Sequence, residues 1–131
     1  MRRVSDGLHS IAEIAAHMDF WQRWLLARCQ GRSEPVPAAA SLGWPAVEAG
    51  EWPAVRDRFL AGAEELAAFA ERSRALELLV QPAIEVPLLA GYTVADALVH
   101  AATHNSHHLG QVITLRQLMG LWPPPGGGLT W

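Results

Sequence analysis

Two capping boxes, Ser10-Ile11-Ala12-Glu13 and Thr93-Val94-Ala95-Asp96, fix where the two most informative helices of this chain begin. In each, a hydroxyl accepts from the amide three residues on while the carboxylate reaches back to the cap amide, so two donors left open by the first turn are satisfied. After Ser10, the residues Ile11, Ile14, Ala15, Met18, Trp21 and Leu25 recur at helical spacing until Gly31, predicting an amphipathic helix over roughly 10–30. After Thr93, a helix is expected to run through about Met119 and to end at Gly120. Between them, Pro53 suits the first turn of a further helix. There Val55, Phe59, Ala63, Leu66 and Ala70 share a face opposite Arg56, Asp57, Glu64 and Glu65, which predicts a helix over about 53–75. The stretch Arg32 to Gly50, with Pro35, Pro37, Gly43 and Pro45, reads as a long connection. Leu76 to Gly91, broken by Pro82 and Pro87, reads as an extended connection without a sheet. The closing run from Leu121 cannot be helical, and Trp122 and Trp131 on either side of its prolines and glycines are expected to anchor it to the surface.

The chain is all-α on this reading, and 1–131 is expected to be a single helical-bundle domain, too short for two ordinary cores. No apolar run approaches the roughly 20 residues that cross a bilayer, and the N-terminus leads into no secretory core segment. A soluble cytoplasmic protein without membrane contact is expected. Ten basic against thirteen acidic residues give a net charge of −3, with no basic block to neutralise phosphates, so nucleic acid is not an expected partner. The single Cys29 excludes an internal disulfide. It falls on the apolar side of its helix and reads as a small buried hydrophobe.

Four of the six histidines, His100, His104, His107 and His108, crowd the last helix. With His104 as zero on the wheel, His108 lies at about +40°, His100 at −40°, His107 at −60° and Gln111 at −20°. His17 lies only about 40° from Trp21, at the edge of the first helix's apolar face, and is expected to point inward. An i,i+4 pair of imidazoles joined by a third from a facing helix is how bundles assemble metal sites. The same residues could instead be core histidines bonded to carbonyls. Asn105 follows His104, so the H-E-x-x-H pattern of zinc proteases is absent. Asp19, about 200° round from His17, is expected to be solvated rather than catalytic. Gln111 is expected to orient a ligand ring, with His107 as a second supporting residue.

The run His104-Asn105-Ser106-His107-His108-Leu109-Gly110-Gln111, then Leu115-Arg116-Gln117-Leu118-Met119-Gly120 and the Trp122-Pro123-Pro124-Pro125-Gly126-Gly127 tail, resembles the C-terminal signature of the DinB/YfiT-like superfamily. Ser10 to Trp21 resembles that family's other signature helix. The resemblance implies an up-down four-helix-type bundle with His17, His104 and His108 as metal ligands. It also implies a divalent transition metal such as zinc, nickel or iron, while leaving the catalytic residues unknown. Members usually carry a long helix before the one bearing His17, whereas about nine residues precede Ser10. The first helix is therefore expected to be lacking or shortened. Apolar surface beside Ile11, Ile14 and Met18 would then be left to a homodimer.

Three histidines leave coordination positions open for water or substrate, and the ion would lower the pKa of a bound water or thiol. Family resemblance implies a thiol-dependent S-transferase or isomerase acting on small electrophiles, with a low-molecular-weight thiol as cosubstrate. Two alternatives stay open: a non-enzymatic metal-binding or stress-response module, and a metal-dependent hydrolase.

Overall fold

The computed structural model describes residues 7–32, 34–72, 74, 76–77 and 91–127. Three α-helices emerge, α1 over Ile11–Cys29, α2 over Trp52–Arg72 and α3 over Val94–Leu118, with a 3-10 turn at Ala40–Gly43, and no strand among the described residues. Both capping boxes form. The Ser10 hydroxyl accepts from the Glu13 amide at 3.2 Å while Glu13 accepts from the Ser10 amide at 2.7 Å, and Thr93 and Asp96 repeat the exchange at 3.1 and 2.9 Å. At the other ends, Gly31 and Gly120 take φ of +76° and +69°. These turn the chain so that Arg32 N–H bonds Ala27 O at 2.9 Å and Leu121 N–H bonds Arg116 O at 2.8 Å, the glycine stop that the sequence signals.

α1 is the central helix, packed on α2 along one side and on α3 along another. Its first half, Ile14, Ala15 and Met18, meets Val55 and Phe59 of α2 and Leu115 of α3, while its second half, Trp24 and Leu25, meets Leu66 and Phe69 of α2 and Val94, Ala97 and Ala101 of α3. α1 and α2 therefore run parallel, and α3 antiparallel to both. A parallel pair needs a connection that returns the full length of α1, roughly 28 Å at 1.5 Å per residue. The proline-rich segment after Gly31 makes that return: Arg28 donates to Glu34 O, Trp24 Nε1 to Pro35 O, and further back His17 Nδ1 to Gly43 O.

Ile14, Met18, Leu25 and Leu26 are all exposed by 4% or less, and burial of each stabilises the bundle by about 1.5–3 kcal/mol. The surface expected to stand open beside Ile14 and Met18 is thus closed by the chain itself, because α2, α3 and Trp44 of the return segment converge on it; Ile11 is half-buried. Unpartnered apolar side chains lie instead on α3, where Val99 is 66% and Leu109 52% exposed. Asp19 also departs from expectation. It is buried, because the side of α1 away from His17 faces α2, and it pairs with Arg23 Nε at 2.6 Å and Arg58 Nε at 3.7 Å.

Gln22, 1% exposed, ties all three helices together: its Nε2 donates to Phe59 O of α2 at 2.9 Å and its Oε1 accepts from Asn105 Nδ2 of α3 at 3.0 Å. Cys29 is half-buried against the core, and burial pushes its thiol up to about 11, in keeping with a packing role. Trp122 is half-buried. The expected extended segment between Leu76 and Gly91 lies outside the described residues over 78–90, as does the anchor expected of Trp131. Among the described residues no helix is long and apolar enough to cross a membrane.

Candidate metal centre

His17 comes from the middle of α1, and His104 and His108 from successive turns of α3. Antiparallel packing of these helices brings the three rings together with centroids 4.5 to 5.0 Å apart. Each offers one ligand nitrogen, and those nitrogens all lie within 4.8 Å of one another. His17 and His108 are buried, and His104 is half-buried.

Hydrogen bonding decides which nitrogen each ring presents. Gly43 O can only accept, so His17 Nδ1 carries the proton of that bond, and its Nε2, 3.2 Å from His104 Nε2, keeps a lone pair. His108 Nδ1 donates to Gln111 Oε1 at 2.7 Å, which leaves its Nε2 unprotonated in the neutral ring. The Gln111 amide then donates onward to His107 Nε2 at 3.3 Å. Gln111 thus reaches the triad directly and His107 through Gln111. Asn105 holds α3 in rotational register by donating to the buried Gln22.

The environment favours the uncharged form of His17 and His104. Burial lowers the pKa of His17, outweighing the opposing bond to Gly43, and the nearby His108 and His9 add to the fall. Burial also pulls His104 down, with help from His108 and His17 and against the opposing influence of the Asn105 side chain, to about 4. Imidazole nitrogens suit a divalent transition metal, those of His17 and His108 are oriented through their bonded second nitrogens, and three ligands leave positions open for exchange. The residues present therefore fit such an ion. A cleft of about 530 Å³, bordered by Tyr92, Asp96, His100, Thr103 and His104, gives access to the cluster from its α3 side.

Two contributors come from the return segment and carry no sequence periodicity. Trp44 lies flat on His17, with centroids 3.7 Å and planes 11° apart, and His9 stacks on its other face at 3.9 Å and 8°. Gly43 must be glycine for Trp44 and the 3-10 turn to come so close, since a Cβ there would meet Trp21 Nε1 at 2.7 Å. His100 stands apart from the triad, exposed, its Nδ1 facing the Tyr92 hydroxyl at 2.9 Å.

No curated protein and no solved structure matches the chain significantly. The family model of the DinB superfamily matches residues 1–112. The likeness read in Leu115 to Gly120 and in the tail falls beyond that match. Since the match runs through most of the sequence and takes in both histidine-bearing segments, this chain belongs to the DinB superfamily.

Proposed function

We propose that this chain binds a divalent transition metal through His17, His104 and His108 and uses it in thiol-dependent transfer or isomerisation of a small electrophile. The observation that carries the metal reading is the meeting of three imidazoles whose ligand nitrogens lie within 4.8 Å. When bound, the ion supplies Lewis acidity that lets a thiol ionise at neutral pH. Zinc, nickel and iron all suit imidazole. Three uncharged ligands leave the ion's double positive charge uncompensated, which favours an anionic sulfur as the next partner.

The chain's own residues orient and shield. Gly43 O and Gln111 Oε1 hold the His17 and His108 rings in one tautomer, Trp44 covers one face of His17, and the cleft beside His104 admits the thiol. In the transferase form, the thiol gives up its proton, its sulfur bonds an electrophilic carbon, and the leaving group departs with its bonding pair. In the isomerase form no group leaves: the thiolate sulfur adds to a C=C bond conjugated to a carbonyl, the π pair moves onto the carbonyl oxygen, the new single bond rotates, and the pair returns to re-form C=C as the sulfur departs and takes back a proton. The cytoplasm, where thiols are kept reduced, is the proposed location. A homodimer is the proposed assembly.

Elemental analysis of protein purified without affinity-metal contact tests the metal, and turnover of electrophiles with and without added thiol tests the chemistry. Stoichiometric metal that is lost in His104→Ala, with turnover only when thiol is present, is the expected result. Turnover without thiol would replace this reading with metal-dependent hydrolysis. Bound metal with no turnover would replace it with a binding or stress-response module.

A further inference from the structure

A second cavity, of about 500 Å³, lies beside His107 and Gln111 and is walled by Leu8, His9, Ile14, Trp44, Gly110 and Leu118. Its walls are mainly apolar. Its few polar side chains are His9, Thr114, His107 and Gln111, the last two continuing the hydrogen-bond chain from His108. That combination of size, apolar walls and a few convergent polar groups is typical of small-molecule sites.

Gly110 adds a separate reason. After proline, glycine is the poorest residue for a helix interior, so a helical glycine calls for an explanation. Gly62 of α2 has one, because a Cβ there would meet Gln22 Nε2 at 2.5 Å. Gly110 has none among the described residues: it lies inside α3, its φ is not positive, and no described atom stands within 4 Å of where its Cβ would be. The space it leaves opens into this cavity.

We propose that this cavity binds a small molecule with an aromatic or aliphatic body lying over Gly110 between Leu118 and the edge of Trp44, and a hydrogen-bonding head group at Gln111 and His107. As the electrophile's site it rests on the function proposed above. As a binding site it does not need the metal, and the test separates the two.

The full-length, metal-free chain, isotope-labelled for NMR, is titrated with 4-fluorophenol, whose ring suits the walls and whose hydroxyl suits Gln111. Saturable shifts of the Gly110, Thr114 and Leu118 amides are expected, with a dissociation constant at or below about 1 mM, the level a fragment this small reaches in a formed pocket. Gly110→Phe, and independently Thr114→Phe, fill the cavity from an exposed helix face and weaken binding at least about tenfold, with unchanged circular dichroism and metal uptake. Absence of saturable shifts, or a Gly110→Phe chain that binds the probe as the parent does, overturns the proposal. So does a Gly110→Phe chain that keeps probe binding but changes oligomeric state, which would assign the glycine to a helix contact between copies. Probe binding in a chain that takes up no metal would sink the metal reading alone, and metal uptake without probe binding would sink the pocket alone.

Discussion

Gln111 is the most direct test of how the triad is held, because it is exposed and so carries little of the fold while its amide engages His108 on one side and His107 on the other. Gln111→Leu removes the acceptor that fixes the His108 tautomer. Metal affinity should fall by roughly 10–100-fold in calorimetric titration, with the thermal unfolding midpoint of the metal-free chain unmoved. Unchanged affinity would reduce Gln111 to a surface residue. Spacing alone revealed this much: His104, His108 and Gln111 fall on one arc of the wheel, and His17 on the inner edge of its own helix. Gly43 and Trp44 were not legible, because a proline- and glycine-broken segment has no period from which a direction can be read. His9, stacked on the far face of Trp44, was hidden for the same reason.

Two helical glycines make opposite predictions for the elements that contain them. Alanine at 62 gains the helix preference of about 0.5–1 kcal/mol, but its Cβ would lie 2.5 Å from Gln22 Nε2. That forces apart α1 and α2 at the residue that also secures α3. The overpacking cost of about 1–3 kcal/mol should win, so Gly62→Ala lowers stability in urea denaturation. Gly110→Ala meets no neighbour and should raise stability by about 0.5–1 kcal/mol. A stabilised Gly62→Ala would mean that Gln22 swings aside without loss. Helix limits were legible because capping boxes and terminal glycines are local signals. The parallel course of α1 and α2 was not, since it depends on a connection that folds back along α1 through bonds from Arg28, Trp24 and His17. Asp19 was misjudged for a related reason. Its position on the wheel was right, but a central helix flanked on two sides has no solvated face there, and its charge is balanced by Arg23 and Arg58.

Among the described residues α3 packs on α1 and α2 along one side, with Val99 and Leu109 largely exposed. In the proposed homodimer a second copy covers these two residues, so Leu109→Lys should shift light scattering toward monomer, and a parent chain monomeric at every concentration would dismiss the dimer. Acid response tests the bundle and the site together. Burial lowers the folded-state pKa of His17 and brings that of His104 to about 4, whereas an unfolded histidine titrates near 6.5. Between those values the unfolded chain binds protons that the folded chain refuses, so stability is full above about pH 6.5 and is lost as pH falls toward 4. Metal sharpens the same dependence, because an imidazolium has no lone pair to donate. Zinc at about 100 times its dissociation constant should add about 2.7 kcal/mol at neutral pH, and this increment should vanish across the same window. His104→Gln, which removes one titrating ligand, should show a flatter profile and a smaller zinc increment in melts from pH 7.5 to 4. A parent chain whose melting point does not change over that range, with or without zinc, would mean that these histidines are neither held neutral by burial nor available to a metal.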